Sequence, residues 1–343
     1  MSRPGGVPWS ESVALALAAS DRVRGHTTPN PPVGAVVLDP DGRTVAVGAT
    51  EAPGGRHAEV VALDAAGASA RGGTVVVTLE PCDHTGRTGP CTARLLESGV
   101  ARVVVGTRDP NPEAAGGADT LRAAGVDVEW YAAPEEVTTG PLRAWLHRQH
   151  TGRPYVTWKY AATLDGRVAA ADGTSRWITS AASRAHAHRV RGAVDAVLVG
   201  SGTLAADDPS LTARGAEGVL LDHQPLACVV GLRAVPEDAA VRRAPGGFRH
   251  LATRDPAVAL GMLDEALHVV VEGGPRLAAA FLDAGLVDEV DAYLAPLVLG
   301  SGRAAVEGGG VPTLDAAHRF VVRHTETLGP DVFVRLDRGV APR

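Results

Sequence analysis

One imidazole, two thiols and a carboxylate stand in a telling order in this chain: His57-Ala58-Glu59, then Glu80-Pro81-Cys82, then Cys91. An imidazole and two thiolates hold zinc well and leave a fourth tetrahedral position open for water. The metal lowers the pKa of that water toward neutrality. Glu59, two residues past His57, is placed to move protons between the water and a substrate. The pattern predicts hydrolytic removal of an amine from a pyrimidine or purine ring. Deaminases of nucleic-acid bases space their cysteines as Pro-Cys-x-x-Cys. Here eight residues, Asp83 to Pro90, lie between Cys82 and Cys91. So polar a loop, rich in Gly and Pro, can bring its own side chains to the site, and His84 and Arg87 are the candidates to touch substrate.

The plainer reading is that His-Ala-Glu is a chance tripeptide and the cysteines are buried thiols. Only three cysteines exist, however, and two of them fall in this motif. That is too few for a disulfide framework, and Cys228 reads as a core thiol. A length of 343 residues predicts two domains, drawn here as residues 1–150 and 153–343. The net charge of −6 argues against unspecific nucleic-acid binding. No run of eighteen apolar residues is present, so no membrane span is expected. The N-terminus lacks the pattern of a signal peptide, and zinc thiolates suit a reducing compartment, so a cytoplasmic location is expected.

These residues must be positioned by elements, and the first part of the chain reads as alternating helices and strands. Helices are expected over 10–20, 57–66, 91–98, 119–124 and 134–147, and strands over 33–38, 44–48, 73–79, 102–106 and 126–128. Alternation of this kind implies an α/β layer fold. Thr151-Gly152-Arg153-Pro154 is the expected linker. A second alternation follows, with strands over 155–160, 196–200, 226–230, 267–272, 289–294 and 332–336 and helices over 181–191 and 276–284. The strand ending at Glu272 runs into Gly273-Gly274-Pro275 and a helix. Glycines there let backbone approach a phosphate, and the helix start attracts it; an ordinary tight turn is the other reading. Arg184, Arg189 and Arg191 lie on one basic helix, which by itself reads as a solvated face.

Taken together, the motifs resemble those of the bifunctional riboflavin-biosynthesis deaminase–reductases over nearly the whole chain. They are Thr28-Pro29-Asn30-Pro31-Pro32-Val33-Gly34, the His57 and Cys82–Cys91 motifs, and Asp109-Pro110-Asn111-Pro112. In the second half they are Lys159 to Gly166, Ser175 to Ser180, Asp207-Asp208-Pro209 with Leu211-Thr212, and Glu272-Gly273-Gly274. The resemblance implies a cytidine-deaminase-like three-layer α/β/α domain followed by a dihydrofolate-reductase-like α/β domain. It implies zinc on His57, Cys82 and Cys91, with Glu59 catalytic. Asn30, His84, Arg87, Asp109 and Asn111 would surround the pyrimidine and its ribose phosphate. In the second domain Ala161, Trp177, Thr203, Asp207 and the stretch from Gly274 would face NADPH. Ser175, Arg191, Arg214 and Glu272 would face the substrate, with Lys159 and Asp165 helping to position it. The implied partners are a phosphorylated pyrimidine and further copies of the chain in a homo-oligomer, with neither nucleic acid nor membrane.

Three departures stand out. Thr50 occupies a position where the family usually carries His, which predicts a weaker substrate contact. Asp83 follows Cys82 where Ser or Asn is commoner. Gly231-Leu232-Arg233 replaces an Asp-Ser or Asp-Thr after the strand 226–230, and the stretch up to Glu272 is short. That shortening makes hydride transfer the less secure activity, and the competing expectation is a deaminase whose second domain has lost it.

Overall fold

The computed structural model describes residues 8–84 and 89–339. The chain divides into two compact units between Gly152 and Arg153. In the first unit the elements are α1 (Ser10–Arg22), β1 (Gly34–Leu38), β2 (Thr44–Ala49), α2 (Ala58–Ala66), β3 (Thr74–Val77), α3 (Cys91–Ser98), β4 (Arg102–Val105), α4 (Gly117–Ala123), β5 (Asp127–Trp130), α5 (Pro134–Thr138) and α6 (Arg143–Thr151). Five strands form one sheet in the order β2-β1-β3-β4-β5. β1 pairs antiparallel with β2 and β3, and β3, β4 and β5 run parallel.

Two glycines fix the layering. Gly34 pairs with Ala49 and Gly48 with Ala35, so the two glycines lie on opposite faces of the sheet. A Cβ on Gly34 would fall 1.9 Å from the Ala16 carbonyl oxygen of α1, and one on Gly48 would fall 2.5 Å from that of Ala58 in α2. The helices therefore press on opposite faces, which gives three layers. β1 is wholly buried and β3 and β4 nearly so, as strands covered on both sides must be. The single helix expected over 134–147 is two helices, because Pro141 follows Gly140 and cannot continue the hydrogen-bond ladder. α6 instead runs on to Thr151 and stops at Gly152 with φ 73°, so the connection shrinks to Gly152–Pro154.

The second unit contains β6 (Tyr155–Thr163), β7 (Arg167–Ala169), α7 (Ala181–Arg191), β8 (Ala196–Gly200), α8 (Ser201–Asp207), β9 (Leu226–Val230), β10 (Phe248–Leu251), α9 (Pro256–Gly261), β11 (His268–Val271), α10 (Pro275–Asp283), β12 (Glu289–Ala295), β13 (Arg303–Ala304), β14 (Val321–Leu328) and β15 (Asp331–Asp337). An eight-stranded sheet runs β10-β9-β8-β11-β6-β12-β15-β14. Its first six strands are parallel. β15 returns antiparallel to β12, and β14 is antiparallel to β15. The core on one side gathers Leu198, Leu251, Leu260, Phe281 and Cys228, so Cys228 is indeed a core thiol. Among the described residues, no helix is long and apolar enough to cross a membrane.

Candidate functional sites

His57 is the residue that precedes α2, with extended backbone, and Cys91 is the first residue of α3. Cys82 follows β3 on the strap Glu80-Pro81-Cys82. Their ligand atoms all lie within 4.8 Å of one another. The Nδ1 of His57 stands 3.2 Å from Cys91 Sγ and 3.5 Å from Cys82 Sγ. A tetrahedral ion with bonds of about 2.0–2.3 Å has ligand–ligand edges of about 3.5 Å. One ring N–H shared between two sulfurs bonds each of them poorly, whereas one ring nitrogen can share a metal with both. The donor set therefore fits zinc in both type and spacing.

The charges fit it as well. A hydrogen bond with Cys91 and the neighbouring His57 hold the Cys82 thiol well below its usual range. The Cys91 thiol is pushed up, because its ionisation would set a second anion against the first. A dication between the two removes that conflict. The backbone N–H of Cys91, at the start of α3, also points at Cys82 Sγ from 3.5 Å, so the helix dipole favours the thiolate. Glu59, in the first turn of α2, is 4% exposed. Burial pushes its carboxyl up to about 7, and Cys91 and His57 are among the groups it senses.

Glu80 stands two residues before Cys82, and its carboxylate organises the surroundings. One carboxylate oxygen accepts from the Ala118 N–H at 3.1 Å and the other from the Asp109 N–H at 3.2 Å. The loop carrying Asp109 and the start of α4 are thereby tied to the residue two before Cys82. Asp109 is itself buried, its carboxyl is raised by burial, and it senses Cys82 and His84. It accepts from the Asn111 N–H, and Asn111 Oδ1 accepts from the Glu113 N–H. Asn30 is half-buried on the turn before β1, held through Thr27. His84 is exposed, and Arg87 lies outside the described residues. Asp83 is a strut: its two oxygens accept from the Thr92 and Thr120 hydroxyls, each at 2.6 Å, and so join α3 to α4. The Thr50 hydroxyl is committed to the backbone of Val33.

In the second unit a groove of about 1860 Å³ opens at the carboxyl ends of the parallel strands. Ligands bind open α/β sheets at such ends. Ala161, Ser175, Trp177, Arg191, Thr203, Asp207, Arg214, Glu272 and Gly274 all line it, as does Lys159. Asp165 does not: its carboxylate accepts from the Thr163 hydroxyl and from the Leu299 and Gly300 N–H groups, a fold-supporting role. The basic helix α7 is only partly a solvated face. Arg191 turns inward and grips Glu272 through two bonds of 2.6 and 2.7 Å. Arg184 lies over the exposed Trp177 ring at 4.5 Å. Lys159 Nζ is 3.8 Å from Glu272. Burial pushes the Glu272 carboxyl up, but Arg191 and Lys159 outweigh it and hold the group at about 2. Burial lowers Lys159.

The shortened stretch after β9 still contributes to the groove. Gly231, Leu232, Arg233, Thr253 and Arg254 line it. A Cβ on Gly273 would fall 2.9 Å from the Thr203 hydroxyl, so a larger residue there would displace Thr203 from the start of α10. Single ligand pockets run to about 300–1,000 Å³, so this groove has room for a dinucleotide and a second molecule. In residue types and size it fits NADPH beside a substrate.

Residues 9–107 match the family described as the cytidine and deoxycytidylate deaminase zinc-binding region, and residues 154–334 match the RibD C-terminal domain. The riboflavin biosynthesis protein RibD of Mycobacterium tuberculosis (strain ATCC 25618 / H37Rv) is 49% identical over 326 residues, covering 95% of this chain and 96% of that protein. RibD of Escherichia coli (strain K12) is 38% identical over 364 residues, covering 94% and 98%. A crystal structure from Thermotoga maritima, described as a diaminohydroxyphosphoribosylaminopyrimidine deaminase/5-amino-6-(5-phosphoribosylamino)uracil reductase, superposes with a TM-score of 0.84 at 33% identity, covering 96% of this chain and 98% of that one. With a zinc-deaminase unit and a reductase unit in one chain, this protein belongs to the RibD family of bifunctional riboflavin-biosynthesis enzymes.

Proposed function

We propose that residues 1–150 deaminate 2,5-diamino-6-ribosylamino-4(3H)-pyrimidinone 5′-phosphate, and that residues 153–343 reduce the ribosyl group of the product to ribityl with NADPH. The observation that carries the reading is the meeting of His57, Cys82 and Cys91 beside the buried Glu59. Zinc bound by these three residues supplies the Lewis acidity that makes water nucleophilic at neutral pH. Glu59 takes a proton from that water and returns it to the departing amine, so water is consumed and ammonia leaves. Asp109 and Asn111 hold ring-edge donors and acceptors, with Asn30 and His84 on the substrate side and Arg87 on its phosphate.

In the groove, NADPH supplies hydride when bound. Ala161, Trp177, Thr203, Asp207 and the backbone from Gly274 line the cofactor's course. Ser175, Arg191, Arg214 and Glu272 hold the sugar and its phosphate. Lys159, beside Glu272, would help position the ribosyl group for reduction. Glu272 is kept ionised by Arg191, which supports a role as hydrogen-bond acceptor for ribosyl hydroxyls. We place the chain in the cytoplasm as a homo-oligomer; Cys82, Cys91 and Cys228 form no disulfide, and zinc thiolates suit a reducing compartment.

Mass spectrometry of the diaminopyrimidinone ribosylamine phosphate after incubation with zinc-loaded protein tests both halves. Exchange of an amine for oxygen, followed by gain of two hydrogens only with NADPH, is the expected result. Deamination with no NADPH-dependent gain refutes the reductase half, and an unchanged substrate refutes the first.

A further inference from the structure

Most arginines around the outer edge of the reductase sheet are committed to the protein itself. Arg242 donates to the Val235 and Pro236 carbonyls, Arg243 to that of Asp238, and Arg249 to that of Met262. Arg233 and Arg254 differ. Both are exposed, both line the groove, and neither has a partner among the described residues. They occupy equivalent places, three residues beyond the ends of β9 and β10, which are adjacent parallel strands with Val230 opposite Leu251.

The turns that carry them are held firmly. Gly231 adopts φ 139°, and a Cβ there would fall 2.2 Å from Ser201 Oγ, so the chain leaves β9 directly over the start of α8. The Gly231 N–H donates to the Leu251 carbonyl, and its own carbonyl accepts from His250 Nε2 at 2.8 Å. The other turn is closed by the Thr253 N–H on the Leu251 carbonyl and by the Asp255 N–H on Thr253 Oγ1. The Asp255 carboxylate is occupied in capping α9. Two guanidinium groups are thus presented from rigid, linked turns to one end of the groove.

Position says what they would meet. The Gly273-Gly274 turn and the start of α10 follow β11, where a pyrophosphate would sit. β9 and β10 lie two and three strands further out. At the usual strand spacing that is roughly 10–14 Å, the adenosine end of a dinucleotide whose nicotinamide lies near Lys159 and Glu272. Adenosine itself needs no cation there, whereas a phosphate on its ribose does. We infer that Arg233 and Arg254 form the seat of the 2′-phosphate and so select NADPH over NADH. Thr253, next to Arg254 in the chain, also lines the groove and adds a hydroxyl there. This rests on the proposed use of NADPH, and it puts the selecting charges in the segment that departs from the family pattern.

The test is calorimetric binding to the full-length, zinc-loaded protein, with adenosine 2′,5′-bisphosphate and 5′-AMP as probes and NADPH and NADH as controls. The parent should bind the bisphosphate more tightly than 5′-AMP. Arg233→Ala and Arg254→Ala should each weaken bisphosphate binding about 10-fold or more, the range for a charge-assisted contact. Binding of 5′-AMP should stay within about 2-fold. Arg254→Lys should recover part of the loss. Equal weakening of both probes, or no weakening of either, in variants that melt like the parent overturns the assignment while NADPH binding by the parent keeps the reductase reading intact. A parent that binds neither NADPH nor NADH overturns that reading and the assignment with it.

Discussion

Replacing Glu272 by Gln tests the charge balance at the floor of the reductase groove. The carboxylate is 5% exposed and faces two cations, Arg191 with two short bonds and Lys159 at 3.8 Å. Its folded pKa of about 2 lies below the ordinary 4.5. The ionised group therefore stabilises the fold above pH 4.5, and that contribution is lost as pH falls from 4.5 toward 2. A gap of about 2.5 pH units at about 1.36 kcal/mol each gives roughly 3 kcal/mol. The cost of stripping one partner from a buried pair, about 3–5 kcal/mol, agrees. For a unit of this size about 1 kcal/mol moves Tm by about 2–4 °C, so Glu272→Gln should lower the melting temperature of the second unit by roughly 6–12 °C at pH 7. The difference from the parent should shrink as melts are repeated from pH 5 downward. A variant that melts within about 1 °C of the parent at pH 7, or whose deficit does not change with pH, would refute the reasoning.

Glu59→Gln should retain zinc by elemental analysis while the deamination rate falls about 10²–10⁴-fold, the usual worth of a positioned acid–base group; a parent-like rate would remove Glu59 from the mechanism. Asp83→Ala cuts both bonds between α3 and α4; competition with a chelator should show weaker zinc retention, and Asp83→Asn should recover part of it. Gly34→Ala drives a methyl into the Ala16 carbonyl; overpacking of this kind costs about 1–3 kcal/mol, read as a lower denaturation midpoint at unchanged slope.

The metal centre was legible because its parts are rare residues at fixed offsets from element starts. His57 and Cys91 sit at helix beginnings, so local sequence placed them without any knowledge of the sheet. Helix α7 and strands β8 and β9 have the bounds that their sequences predict, since Ser180 caps the helix and the strands are unbroken apolar runs. What escaped depends on contacts distant in sequence. Glu80 reaches Asp109 and Ala118, 29 and 38 residues away, and no local pattern announces that. α8 begins where β8 ends, with no intervening turn residues to mark it. Arg233 and Arg254 come to line the same groove only once β9 and β10 pair. Arg191 looked like one charge among three on a solvated helix, and its inward direction follows from where Glu272 lies.

Strand β14 also escaped, for an instructive reason. Its sequence, Val-Val-Arg-His-Thr-Glu-Thr-Leu, is exposed along all but its last residue. It is the outermost strand of the eight-stranded sheet, and an outermost strand carries a row of unpaired backbone groups that can recruit another chain. Arg323, His324 and Glu326 would have to shed water for that to happen. The opposite edge, β10, is protected by brevity, with only four residues. The polarity that hides β14 from a hydrophobic pattern is what keeps a long, mostly parallel sheet from growing into an aggregate.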